Sequence, residues 1–270
     1  MGQARNFQNR IERLHLTTRI DQLRDEERSF NATMHIGGLF DTHPGTVSGT
    51  GDDDFGMVIK AGLGYQLPLE GKFGFRMDYS GYADFHQDFS EFDVQEHQFT
   101  IEPQYTSGQF MYSLQLGAAR MLEDGRHDTD SLIILPAVTR LMNSGSEAIT
   151  FYGHAAKIED KDTDAILNED RKTYGAGISY FFTAGEAGSV LISMGYAEAD
   201  FDAFIREYEP ETESNDRRSD QVVTAGLDLF SRFTPHMGFY ASYSYNNVSS
   251  NVAAYDYQRH ILEAGISVFY

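Results

Sequence analysis

From Ser29 to the C-terminus, apolar side chains recur at every second position in segments of about a dozen residues. No other feature of this chain restricts its fold so severely. A period of two places successive side chains on opposite faces of a β-strand, and a helix cannot satisfy it. The last segment shows the pattern most simply. Leu262, Ala264, Ile266, Val268 and Tyr270 share one side, and Glu263, Gly265, Ser267 and Phe269 share the other. A strand that ends on an aromatic residue without a polar tail is expected to close an outer-membrane barrel, with its apolar side against lipid. Leu262, Ala264, Ile266, Val268 and Tyr270 are also the expected address for the barrel insertion machinery.

Two early neighbours carry the same alternation over their full length. In one, about 55–68, Phe55, Met57, Ile59, Ala61, Leu63, Tyr65 and Leu67 alternate with Gly56, Val58, Lys60, Gly62, Gly64 and Gln66. In the next, about 73–86, Phe73, Phe75, Met77, Tyr79 and Phe85 alternate with Arg76, Asp78, Ser80, Asp84 and His86. Each has a continuous apolar face and a face that carries charge. Segments about 29–41, 95–107, 109–121, 171–182, 189–200, 219–231, 236–248 and 256–270 repeat the pattern. Those about 129–142 and 147–158 alternate poorly, and Pro136 marks a bulge or weak pairing, since it has no N–H for a ladder.

The connections set the architecture. Short turns fall at 69–72, 107–108, 143–146, 184–188 and 233–236. Longer and mostly acidic loops fall near 42–54, 87–94, 122–128, 159–170, 201–218 and 249–255. Short and long connections alternate along the chain, as they do in outer-membrane barrels with short periplasmic turns and long extracellular loops. The fold predicted is all-β: an antiparallel up-and-down transmembrane β-barrel of about 12 strands. Both termini then lie on the periplasmic side of the outer membrane of a Gram-negative bacterium. A closed barrel leaves no edge, so the last strand should pair with the first, near Phe30 to Phe40.

Composition narrows the function. No run approaches the roughly 18 apolar residues of a membrane helix. Hydrophobic residues make up 41% of the chain, a modest share that suits strands which give lipid only every second residue. A formal charge of −20 argues against nucleic acid as a partner. With no cysteine, disulfides and thiolate metal sites are excluded. His35, His86 and His260 fall on strands and His43 and His127 on loops without ligand spacing, so neither a metal nor a cofactor is expected. Asp52-Asp53-Asp54 lacks the spacing of a calcium loop and reads as solvated charge, with divalent cations bridging to lipopolysaccharide as the alternative. No Gly-x-Ser-x-Gly elbow occurs, and no catalytic residue or enzyme activity is expected.

The candidate site is the polar lumen. By parity, Lys60, Arg76, Asp78, Asp84, Glu102, Asp228, Arg259 and Glu263 should line it. Opposite charges there either pair across a narrow interior and stiffen the barrel, or line a selective conduit. Twelve strands lie between filled eight-stranded barrels and open porins of 16 to 18, so a modest pore that a helix or loop can close is expected.

Residues 1–28 stand apart. Phe7, Ile11, Leu14, Ile20 and Leu23 recur near helical spacing, and Arg5, Arg10, Arg13, Arg19, Arg24 and Arg28 make this the arginine-dense part of an acidic chain. A short amphipathic helix is predicted, either the end of an upstream domain or a plug in the lumen. The barrel domain is 29–270. An export signal is expected to have preceded Met1-Gly2-Gln3 and to have been removed.

Three stretches carry a resemblance: Gly38-Leu-Phe-Asp-Thr-His-Pro-Gly45, Asp216-Arg-Arg-Ser-Asp220, and Ser249-Ser-Asn through Tyr255-Asp-Tyr-Gln-Arg-His260. Together they resemble the surface lipoprotein assembly modifier family and the related porin-like barrels of tetratricopeptide-linked exopolysaccharide exporters. That resemblance implies passage or display of a surface protein or polysaccharide, and makes residues 3–28 the end of a repeat domain. The layout is also similar to autotransporter translocators, 12-stranded with a helix through the lumen. The expected function is a channel for transport or export. A diffusion porin is the nearer alternative, and a structural or adhesive barrel acting through acidic loops is the more distant one. Outer-membrane lipid and lipopolysaccharide, the barrel insertion machinery and an exported surface protein or polysaccharide are the expected partners.

Overall fold

The computed structural model describes residues 29–42, 53–67, 71–161, 170–185, 187–204 and 216–270, apart from the side chains of 91, 203 and 204. The helix expected within 1–28, and much of the loops 42–54, 159–170 and 201–218, lie outside them. Twelve antiparallel strands form one closed barrel. They are β1 (Phe30–Asp41), β2 (Asp54–Leu67), β3 (Phe73–His86), β4 (Val94–Ser107), β5 (Phe110–Glu123), β6 (Arg126–Met142), β7 (Glu147–Asp160), β8 (Arg171–Ala184), β9 (Gly188–Phe204), β10 (Arg217–Thr234), β11 (Met237–Ser250) and β12 (Tyr257–Phe269). Each pairs with its chain neighbours. β12 closes the ring on β1 in the register Met34↔Val268 to Phe40↔Leu262, as the edge argument predicts.

Alternation becomes inside and outside. On every strand the outward parity exposes large apolar side chains, among them Ile36, Met57, Phe99, Leu114, Leu132, Phe151, Ile178, Met194, Val223 and Ile266. Leu132, 65% exposed, illustrates the scale. So large a continuous apolar exterior is incompatible with a water-soluble monomer and suits a hydrocarbon environment. Aromatic contacts gather toward the two ends. Phe73–Tyr105 (5.1 Å) and Tyr180–Phe182 (5.5 Å) lie toward the short turns. Phe40–Phe55 (5.0 Å) and Tyr245–His260 (5.0 Å) lie toward the long loops. Rings at both interfaces are a property of barrels that span a membrane.

Two connections differ from expectation. The supposed loop 122–128 is a two-residue hairpin, because β5 runs to Glu123 and β6 begins at Arg126. Asp124 and Gly125 both have positive φ (48° and 71°), the Asp-Gly geometry of a tight hairpin whose twist matches its strands. The strict alternation of short and long connections therefore fails at this one loop. The second case is 201–218, where β9 continues to Phe204 and β10 starts at Arg217. His127, expected in a loop, is accordingly on β6.

Pro136 behaves as its chemistry demands. It pairs with Leu114 of β5. Toward β7 the ladder skips from Ile134↔Ala155 to Ala137↔Tyr152. Pro103 produces the same gap, between Ile101↔Leu116 and Gln104↔Ser113. The poor alternation of β6 has a separate cause. Its inward residues Ile133, Leu135 and Ala137 are apolar as well, and they are buried with Met121, Ile158 and Tyr152.

Candidate functional site

The barrel interior has two unlike sectors. Along β6–β9 the inward side chains mix apolar groups with small polar ones, with Leu135, Ala137 and Tyr152 in one cluster and Ala148, Phe181 and Leu191 in another, and with Arg171 as a buried charge. From β10 through β12 and on to β4 they are mostly polar or charged. A period of two does not predict this division, because it sorts residues by face and not by position around the ring.

Lys60, Arg76, Asp78, Asp84, Glu102, Asp228, Arg259 and Glu263 all occupy the inward parity of their strands. Lys60 of β2 forms an ion pair with Glu263 of β12. The Ser242 hydroxyl donates to the same carboxylate at 3.2 Å, and Asp228 stands opposite Ser242 in the β10–β11 register. Lys60 Nζ also lies 5.7 Å from the ring centres of both Tyr82 and Tyr240. A second group sits on β3 and β4. Arg76 donates through Nε and Nη2 to Asp78, each at 2.6 Å, and faces Glu102 across the ladder. Asp84 accepts the Tyr82 hydroxyl at 3.1 Å and the Val94 N–H at 2.8 Å. Arg259 belongs to a third group, pairing with Asp41 of β1. Its Nε donates to both Asp41 oxygens at 2.8 and 2.9 Å. His86 Nε2 lies 3.8 Å from Asp41, and His86 Nδ1 lies 3.8 Å from Asp93.

Several inward residues escaped the sequence reading. Asp41 and Asp54 were assigned to a strand end and a solvated loop, yet they are 0% and 1% exposed. The Asp54 carboxylate accepts the N–H groups of Asp88 and Phe89, each at 3.3 Å, and so holds the β3–β4 loop. Arg218 falls in the predicted loop 201–218 and Asp220 at the start of the predicted segment 219–231. Arg218 is fully buried, bonds Asp220 at 3.0 Å, and its guanidinium lies 3.9 Å from the Phe201 ring centre and 3.6 Å from that of Tyr255. Tyr255 belongs to the short helical turn Ala253–Tyr255, so this sandwich pins the 251–256 connection to the barrel mouth. Asp41 and Asp220 already fall on the inward parity of segments 29–41 and 219–231, and extending that parity by one residue reaches Asp54 and Arg218.

Glycines let inward rings lie flat. A Cβ at Gly177 would overlap the Tyr152 ring, and one at Gly37 would overlap the Tyr240 hydroxyl. On the outer wall, charge reappears above the apolar belt. Arg120 bonds Asp130 at 3.0 Å, and Lys157 bonds Glu159 at 2.6 Å. Just past β7, Lys161 donates to Glu159 at 2.7 Å. That bond holds the Lys161 ammonium above its ordinary lysine value.

A closed antiparallel barrel with an apolar exterior and a charged interior sector is an outer-membrane-type transmembrane β-barrel. Solved structures with this fold include an outer-membrane channel from Pseudomonas putida F1, at a TM-score of 0.55 and 11% identity, covering 89% of this chain and 94% of that one. The translocator domain of the autotransporter NalP from Neisseria meningitidis follows at 0.47 and 10%, covering 97% and 95%. The anion-selective porin from Comamonas acidovorans stands at 0.46 and 10%, covering 89% and 98%. At such identities the likeness concerns the fold. No protein-family model and no curated protein matches the chain.

Proposed function

We propose that this barrel is a transport or export channel of the outer membrane, with its long loops outside and both termini in the periplasm. The observation that carries the reading is the charged inner sector of β10–β12 and β1–β4, enclosed by a wall that is apolar outside. A hydrophilic path through a hydrocarbon layer is the usual use of such an arrangement. The cargo is a surface-destined polypeptide, lipoprotein or polysaccharide, and the activity is transport rather than catalysis. Lining residues include Lys60, Arg76, Asp78, Asp84, Glu102, Asp228, Arg259 and Glu263. Lipopolysaccharide, the insertion machinery that recognises Leu262–Tyr270, and the cargo itself are the partners this reading brings.

Residues 3–28 fit the role of a plug. Their arginines are complementary to inward carboxylates such as Asp84, Glu96 and Glu102. Planar-bilayer recording tests both parts of the reading. The full chain should conduct weakly, and a chain lacking residues 1–28 should conduct strongly with steady open levels. If neither form conducts, the channel reading fails and a structural barrel acting through its loops takes its place.

A further inference from the structure

Three of the five lysines of this acidic chain, Lys157, Lys161 and Lys172, gather at one place, where β7 and β8 rise from the apolar belt toward the long loops. Arg120 of β5 joins them on the outer wall. Pairing within the wall does not account for the gathering. Lys157 stands directly opposite Lys172 in the β7–β8 register, and like charges so placed cost stability unless an anion joins them. Glu159 accepts from both Lys157 and Lys161, and Asp130 accepts from Arg120. Asp200, which flanks Lys172 from β9, accepts the Ser219 hydroxyl at 3.3 Å. An ammonium carries three donors and a guanidinium five, so these bonds leave most of the donors to other acceptors.

An apolar slot adjoins these cations. The registers align Tyr79, Phe99, Ala118, Leu132 and Lys157 in one outward row across β3 to β7. Ala118 is the small member, so Phe99 and Leu132 stand as walls on either side of it. The cleft they form encloses about 560 Å³ and has Arg120 and Lys157 on its rim. Its walls belong to the face that meets hydrocarbon, and its rim carries the charge. Arg120 and Glu159 stand two strands apart, about 10 Å at the usual strand spacing. The cations therefore form two stations, Arg120 on one side and the three lysines on the other.

We propose that this patch binds one diphosphoryl glycolipid, the lipid A part of lipopolysaccharide, directly and without bridging metal ions. One phosphate takes Arg120, the other takes the three lysines, and an acyl chain lies in the slot over Ala118. The slot is the reason for a lipid and not a free phosphate. The inference rests on the long loops being outside, as in the proposed function, and gives the lipopolysaccharide named there a single address on one side of the barrel.

The probe is diphosphoryl lipid A, added to the full chain in detergent micelles with EDTA present, and bound lipid is counted by native mass spectrometry. The wild-type chain should hold one lipid. Lys157→Gln with Lys161→Gln and Lys172→Gln should weaken binding roughly tenfold or more. Ala118→Phe keeps every charge and fills the slot, and it should weaken binding as well. Lys72→Gln, at the short turn before β3, should bind as the wild type does. Gel mobility reports whether each variant is folded; if the triple variant is not, Lys172→Gln alone serves the comparison, and it should be no less stable than the wild type because it relieves the facing charges. Equal binding by the wild type and the lysine variants overturns the site, as does an equal loss from Lys72→Gln, which would mean unspecific charge attraction. Binding that Ala118→Phe leaves unchanged, or that excess inorganic phosphate abolishes, overturns the lipid. Lipid counting is independent of conductance, so a barrel that holds the lipid and fails to conduct would sink the channel and not the site.

Discussion

Arg259→Met is the most informative single change. Asp41, its partner, is 0% exposed and Arg259 is 1% exposed. The wild-type guanidinium neutralises that carboxylate and donates to both its oxygens. Removing one member of a buried ion pair costs about 3–5 kcal/mol in a dry interior. If lumen water reached the pair, screening would reduce the loss to about 0–1 kcal/mol, the range of surface pairs. The measurement is urea unfolding of the barrel in lipid vesicles, followed by the gel-mobility difference between folded and unfolded forms. Arg259→Met combined with Asp41→Leu should recover most of the loss, because a packed apolar pair of similar volume is close to neutral. A single variant costing under about 1 kcal/mol would falsify dry burial of the Asp41–Arg259 pair. A double variant as unstable as the sum of the singles would show that the residues do not act as a pair.

Three further outcomes are expected. Ile134→Arg, on the outward centre of β6, should destabilise folding in lipid by about 2–4 kcal/mol, whereas a neutral result would remove Ile134 from the hydrocarbon. Arg218→Ala loses two ring contacts and leaves Asp220 without its guanidinium. The 251–256 connection should then be cleaved faster by added protease, with a stability loss of about 2 kcal/mol or more; unchanged cleavage would show that the sandwich does not hold the connection. Gly177→Ala sets a Cβ against both the Tyr152 ring and the Met194 carbonyl and should cost about 1–3 kcal/mol, while Gly153→Ala, where a Cβ meets only ordinary contacts, should cost less. Equal losses at the two glycines would count against ring seating.

Strand existence and facing were legible because both are local. Phe55 to Leu67 and Phe73 to His86 needed nothing beyond their own alternation to show which side chains meet lipid. Turn length was less legible. Asp124-Gly125 is among the clearest hairpin signals in the chain, yet the neighbouring charges of Glu123, Arg126 and Asp128 looked like loop. Charge at a strand end is ambiguous by itself, because such residues serve equally as solvated loop or as lining at a barrel mouth. Arg218 and Asp54 fell on the wrong side of that ambiguity.

By itself, then, the sequence determined a membrane-facing antiparallel barrel closed by its last strand, since side-chain period and turn chemistry act over a few residues. Only the tertiary structure decided which inward charges meet. Lys60 and Glu263 are 203 positions apart, and Arg259 and Asp41 are 218 apart. Their contact depends on closure and on the register of β12 against β1, and a slip of one residue would reverse every face.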